Sequence, residues 1–369
     1  MGNTFVTLQE IARQALPQLI DNLVFPQLCY RDFSDTFAQH GDTIQVRKPV
    51  VYTAAEFDAS QGVQTQDITE NTVAVKLDKI ATVDVEASAI ETATNIDDLN
   101  RVFIEPAAIA LAQKINADGL GLAAEVFNTV DCSTKNLAAL AAVRKAMNEA
   151  RIPLTERRAI WDPEADAAFM TIDAIVHAEK SGTTEALREG SIGRVFGMDN
   201  YMSQAVKSFK TGITAATAVK VNGAVSAGAK QLAIDGSTLT GKLLAGEILY
   251  IGGKAYKVAE DTAAAATNAI ATVKVTTELP AIADNTDVTL LKRDYTANLA
   301  FHPMAFAYVT RPLYNPDGEG VSSYVTSYNG ISLRVTRGYN QQYKKSVYSM
   351  DVLYGYKCVY PELAVLALG

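Results

Sequence analysis

Histidine is scarce. His40, His177 and His302 are the only three in 369 residues, and none lies near another His or a Cys. Zinc sites need such ligands at short spacing, so the sequence offers no metal centre of that type. Cysteine is equally sparse. Cys29, Cys132 and Cys358 lie far apart, make no metal or redox spacing, and fit a reducing compartment. Basic residues are the minority, 33 against 41 acidic ones, and the net charge of −8 argues against a dedicated DNA-gripping surface. No apolar run approaches the roughly 18 residues of a membrane span. The opening MGNTFVTLQE has no basic patch followed by an apolar stretch, and Gly2 lacks Lys or Arg support for a lipid anchor. A soluble protein made in the cytosol is the expectation, with no membrane partner.

Catalytic motifs are also missing. Gly236-Ser-Thr-Leu-Thr-Gly-Lys242 has the glycine spacing and the lysine of a phosphate-binding loop. Leu243 stands where Ser or Thr should hold magnesium, however, and a strand-like run follows where a helix should present its N-terminus. Gly190, Gly193 and Gly197 miss the G-x-G-x-x-G fingerprint, no G-x-S-x-G elbow occurs, and no carboxylate spacing singles out a catalytic pair. No catalytic, cofactor-binding or metal-binding residue is assigned, and no enzyme is expected.

What is present is a globular composition, 48% apolar and 20% charged, long enough for two or three domains. Thr7-Leu-Gln-Glu10 reads as a capping box. It precedes a helical stripe of Leu8, Ile11, Ala12, Ala15, Leu16, Leu19, Ile20 and Leu23, with Pro17 as a kink or division. This helix is either part of the core or a terminal arm on a neighbouring subunit.

Strand-like runs at Thr43–Arg47 and Thr72–Leu77 then flank roughly twenty mostly polar residues, whereas connections inside domains usually run about 4–6. A long Ala-rich helix follows from Asp97 to about Phe127, with bends at Pro106 and Gly119–Gly121. Helices over 136–150 and 164–180 and a strand ending at Pro163 suggest an α/β region. From Thr214 to about Arg293, short β runs succeed one another, with a Gly252-Gly253 hairpin, and read as an inserted antiparallel barrel or sandwich. Asn329-Gly330 is a second hairpin signal, and residues 331–368 alternate as a final antiparallel ribbon.

The segment Leu187-Arg-Glu-Gly-Ser-Ile-Gly-Arg-Val-Phe-Gly-Met-Asp-Asn-Tyr-Met-Ser203 resembles part of tailed-phage major capsid proteins. Gly190, Ile192, Gly193, Gly197, Met198 and Ser203 carry the likeness. The order of parts along the whole chain resembles the α+β Hong Kong 97-type capsid fold, and most of all coat proteins of short-tailed phages with an inserted β domain. Asn298-Leu-Ala-Phe-His-Pro and Arg311-Pro-Leu are similar to that branch.

The resemblance implies an N-terminal helical arm over 1–41, an extended β-hairpin arm over 42–89, and a spine helix with peripheral domain over 90–135. An axial α/β domain over 136–213, the inserted β domain over 214–293, and a return to the axial domain and peripheral ribbon over 294–369 complete it. It further implies a homo-oligomer of pentamers and hexamers enclosing double-stranded DNA without reading its sequence. Scaffolding and portal proteins would be partners during assembly in the host cytoplasm, and the virion shell its final location.

An arm with no core of its own must bury a face on another molecule, because an isolated two-stranded hairpin is marginal in water. Its acids Glu56, Asp58, Asp67 and Glu70, with no Lys or Arg over 49–75, are expected to meet Arg334, Arg337, Lys344 and Lys345 of a neighbour's ribbon. Phe57, Val73 and Val75 would add apolar contact. In the founding member of the family a Lys of this arm is cross-linked to an Asn; here no Lys lies between Lys48 and Lys76, so a shell without such links is expected. A phage tube or fibre subunit, and an enzyme with a β appendage, are the alternative readings.

Overall fold

The computed structural model describes residues 8–31, 43–47, 72–88, 104–177, 189–316, 321–328, 330–340, 342 and 345–369. These form an α+β protein whose residues group into two units. One takes in Met1–Asn22, Tyr30–Ala112 and Phe306–Val359; the other takes in Leu23–Cys29, Gln113–Ala305 and Tyr360–Gly369.

The first unit is built on a strand of unusual length, Lys345–Cys358. One of its edges pairs antiparallel with Ile331–Asn340 and, further along, with Phe306–Arg311. Its other edge pairs with Lys79–Ser88 through ten successive residues, Lys345↔Ser88 to Tyr354↔Lys79. Val321–Tyr328 closes the sheet beside Ile331–Asn340, and the pair Tyr328↔Ile331 leaves a two-residue turn at 329–330. Gly330 takes φ +73° there, as such a turn demands.

The helix Leu8–Asn22 packs on Val321–Tyr328 and Ile331–Asn340 and buries Ile11, Ala12, Ala15, Leu16, Leu19 and Ile20. The apolar stripe is therefore covered by its own chain, and the helix continues through Pro17. Thr7 of the capping box lies outside the described residues.

The second unit contains a mixed seven-stranded sheet. Its main order is Asn128–Asp131, Ala364–Leu368, Tyr295–Phe301, Arg157–Trp161, Met198–Met202 and Arg194–Val195, with Ser208–Phe209 added to Tyr295–Phe301. The first and fourth pairings are parallel and the rest antiparallel. Leu137–Glu149 buries Leu140, Val143 and Met147 in the core that also holds Trp161, Phe169 and Val365. Asn136 caps this helix, its Oδ1 accepting from the Ala139 amide at 2.9 Å.

Four expectations are corrected or narrowed. The final strand is not part of the ribbon: Ala364–Leu368 lies in the second unit's sheet with all five residues buried. A strand covered on both faces has no reason to alternate. The helix expected over 164–180 is two pieces within the described residues, Pro163–Met170 and Asp173–Val176. The first ends where the Thr171 hydroxyl donates to the Ala168 carbonyl at 2.7 Å. The long helix is seen as Glu105–Leu120 and tightens into a 3-10 turn at Gly121–Glu125; residues 89–103, with its expected start, lie outside the described residues.

The fourth is the inserted barrel. Its expected strands do form, and Gly252 and Gly253 take φ +57° and +79° in the hairpin. The strands make three separate antiparallel sheets, though: a pair (Ile213–Thr217 with Thr238–Gly241), a triple around Gln231–Asp235, and a triple around Ile248–Ile251. Single bridges such as Lys220↔Asp287 and Val258↔Val275 join the two triples where a closed barrel would need continuous ladders. One shared core, including Val221, Ile234, Leu249 and Val273, still binds these sheets together.

Candidate assembly surface

The base of the arm is a two-stranded sheet of Thr43–Arg47 and Thr72–Lys76, in register from Thr43↔Lys76 to Arg47↔Thr72. Residues 48–71 lie outside the described residues, and with them Glu56, Phe57, Asp58, Asp67 and Glu70. Val73 is half-buried, while Val75 is fully buried by its own chain. Val75 therefore anchors the arm at home and presents no surface to a neighbour. After Leu77, itself buried, the chain enters Lys79–Ser88 along the sheet edge.

Most of the ribbon cations have partners within the chain. Antiparallel pairing sets Arg334 directly opposite Asp351. Its Nε and Nη2 reach Asp351 Oδ2 at 3.0 and 2.6 Å, and its Nη1 donates to the Tyr314 carbonyl at 3.0 Å. Asp351 is buried, and the Ser349 hydroxyl fills its other oxygen at 2.9 Å. Lys345 meets Glu86 of the edge strand at 2.7 Å. The Arg337 guanidinium sits 5.4 Å from the Tyr348 ring centroid while its side chain stays exposed. Lys344 lies outside the described residues.

The same unit leaves large apolar side chains uncovered that the sequence reading passed over. Ile80 is 56% exposed, Val85 40%, Tyr339 50% and Tyr328 68%. Pairing puts Val85 opposite Tyr348 and Tyr339 opposite Ser346, so both lie on one sheet face. That register is the only signal that could have found them.

The glycine-marked segment lies in the second unit. Gly190, Gly193 and Gly197 all take positive φ, and Phe196 with Gly197 makes the turn between Arg194–Val195 and Met198–Met202. Ile192 and Met198 are buried, and the Ser203 amide donates to the Trp161 carbonyl at 3.0 Å. Asn200, which the sequence reading did not single out, is the hub. It accepts from Trp161 Nε1 at 2.9 Å and donates to the carbonyls of Gly193 at 2.9 Å and Met198 at 3.1 Å.

Burial pushes the Cys132 thiol up to about 12 and holds His302 below the usual imidazole range. Among the described residues no three of His, Cys, Asp and Glu gather as metal ligands. No helix among them is long and apolar enough to cross a membrane.

No protein-family model and no curated protein matches the chain. Among solved structures, one from Mycobacterium phage Che8 aligns with a TM-score of 0.53 at 15% identity, over 94% of this chain and 90% of that one. The capsid of an empty GTA particle aligns at 0.49 and 9% identity, over 94% and 90%. The capsid structure of cyanophage P-SCSP1u aligns at 0.48 and 13%, over 94% and 88%. The chain is thus an α+β protein that shares its fold with the Che8 phage structure over nearly its whole length.

Proposed function

We propose that the chain is the major capsid protein of a tailed phage. It assembles through pentamers and hexamers into an icosahedral shell around double-stranded DNA, with scaffolding and portal proteins as assembly partners. The observation that carries this reading is the two-stranded arm, a sheet of its own rooted by Val75 and Leu77, in a chain that shares its fold with a phage structure. A shell protein uses such an arm to cover a neighbour. Contacts of millimolar strength, worth about 4 kcal/mol each, suffice when symmetry closes several per subunit.

Electron microscopy of the purified protein tests the reading: closed polyhedral particles are expected, and tubes or discrete oligomers would overturn it. Boiled in detergent with reductant, those particles should return monomers of 39.6 kDa, because the arm offers no Lys between positions 48 and 76. A ladder of covalent oligomers would refute the uncross-linked shell.

With Arg334 and Lys345 engaged at home, Arg337 and Lys344 are the ribbon cations proposed to meet the acidic arm of a neighbour. Each exposed pair contributes only about 0–1 kcal/mol, so such pairs set register and salt sensitivity more than strength. The double variant Glu56→Lys, Asp58→Lys is expected to assemble more slowly, with altered salt dependence and an unchanged monomer melting curve. Normal shells with unchanged salt dependence would remove the arm acids from the interface.

A further inference from the structure

We propose that Gly355 is a positioning residue: a seat without a side chain that sets the angle at which the arm leaves the ribbon sheet. The proposal deepens the shell reading and rests on it for the claim that arm angle governs assembly. Gly355 sits within the Lys345–Cys358 strand, paired to Val309, and glycine inside a strand is a cost that close backbone approach can explain. Its φ is not in the left-handed region, so space and not conformation calls for glycine here.

The approach is severe. A Cβ on Gly355 would lie 2.3 Å from the Lys76 carbonyl oxygen, 3.0 Å from its carbon and 3.3 Å from Leu77 Cα. These are backbone atoms, which cannot swing aside as a side chain does. The crossing falls at the end of the ladder: Tyr354↔Lys79 is the last pair between the edge strand and Lys345–Cys358. At that point the chain leaves the sheet edge, passes over Gly355 and becomes the arm.

Two features keep the seat firm. Val75 and Leu77 are buried on either side of Lys76, pinning the crossing segment. Side chains alternate along a strand, so Tyr354 and Tyr356 project from the opposite face to the Gly355 seat. They cluster there with Tyr308, at centroid distances of 4.8 Å for Tyr308–Tyr356 and 5.7 Å for Tyr354–Tyr356. This aromatic backing leaves the strand little room to retreat. A methyl group must therefore lift the arm. A lift of ~1 Å against anchors ~7 Å apart tilts it by ~8°, and a point five residues out moves by ~2 Å.

Gly355→Ala is the test, read first on the unassembled subunit by amide hydrogen exchange. Protection at Val73–Leu77 is expected to fall at least tenfold while Leu333–Val335 and Met350–Val352 keep theirs. Shell yield is expected to fall at least tenfold. Unchanged exchange at Val73–Leu77 overturns the seat. Altered exchange with normal shells overturns the claim that arm angle governs assembly, and leaves the seat standing. If Gly355→Ala does not fold, the double variant Val75→Ala, Leu77→Ala removes the pins without adding an atom. It is expected to give the same local loss of protection, and unchanged protection there overturns the proposal.

Discussion

Asn200→Ala is expected to destabilise the second unit by about 3–4 kcal/mol. The substitution leaves Trp161 Nε1 without its acceptor and takes a donor from the carbonyls of Met198 and Gly193; the first two bonds are buried and the third partly so. Each buried polar group left unpaired costs about 1–3 kcal/mol. The sum is discounted because the Gly193 oxygen keeps the Asn200 amide at 3.2 Å. Asn200→Asp separates the two roles: a carboxylate still accepts from the indole but cannot donate to the carbonyls. It should be at least as destabilising as Asn200→Ala, because a buried carboxylate held against two carbonyl oxygens is desolvated and repelled. Trp161 is the chain's single tryptophan, so its fluorescence during urea unfolding reports the site directly. A loss below about 1 kcal/mol would show that this network does not hold the glycine-marked turn on the sheet.

Lys257→Met is expected to stabilise the protein at neutral pH and to flatten its pH dependence. Lys257 is fully buried, and its ammonium donates to the Ala123 carbonyl. Burial lowers its pKa from 10.5 to about 7. The unfolded chain then holds one more proton than the folded one between about pH 7 and 10.5, so stability rises with pH across that window. Below about pH 7 the full penalty applies, up to roughly 4–5 kcal/mol at 1.36 kcal/mol per pH unit. Methionine removes that penalty but leaves the Ala123 carbonyl without this donor, a cost of about 1–3 kcal/mol. The net gain at pH 7 is on the order of 2 kcal/mol, read as a raised melting temperature and a reduced slope between pH 7 and 10. Wild-type stability that does not rise over this range would refute the neutral-lysine reading.

What the sequence made legible was local. Gly252-Gly253 and Gly330 announce their hairpins because a two-residue turn needs positive φ. The helix Leu137–Glu149 follows from its apolar period and from Asn136 at its cap. The arm's two strands follow from alternation on either side of a polar stretch.

What depended on register was hidden. Nothing local says that Arg334 faces Asp351, or that Lys345 reaches Glu86 some 259 positions away. Val75 alternates like any interface valine, and only the fold shows that its own chain covers it. Barrel closure failed as a reading because strand content does not fix which edges pair. Asn200 left one faint trace, two residues after the buried Met198 and so on the same side of its strand.

The place of Ala364–Leu368 has a consequence for how the chain comes together. This segment lies between Asn128–Asp131 and Tyr295–Phe301, hydrogen-bonded to both, and among the described residues no other strand joins those two. Its partner on one side precedes it by more than 230 positions, as Val365↔Asn128 shows. Closing such a loop costs chain entropy before any contact rewards it. Until the segment docks, one edge of the largely buried strand Tyr295–Phe301 stands open and Asn128–Asp131 has no strand partner among the described residues, and open edges invite pairing with other molecules. The docking of these five small and aliphatic residues is therefore expected late in folding, because it closes the sheet only after a long loop has been drawn in.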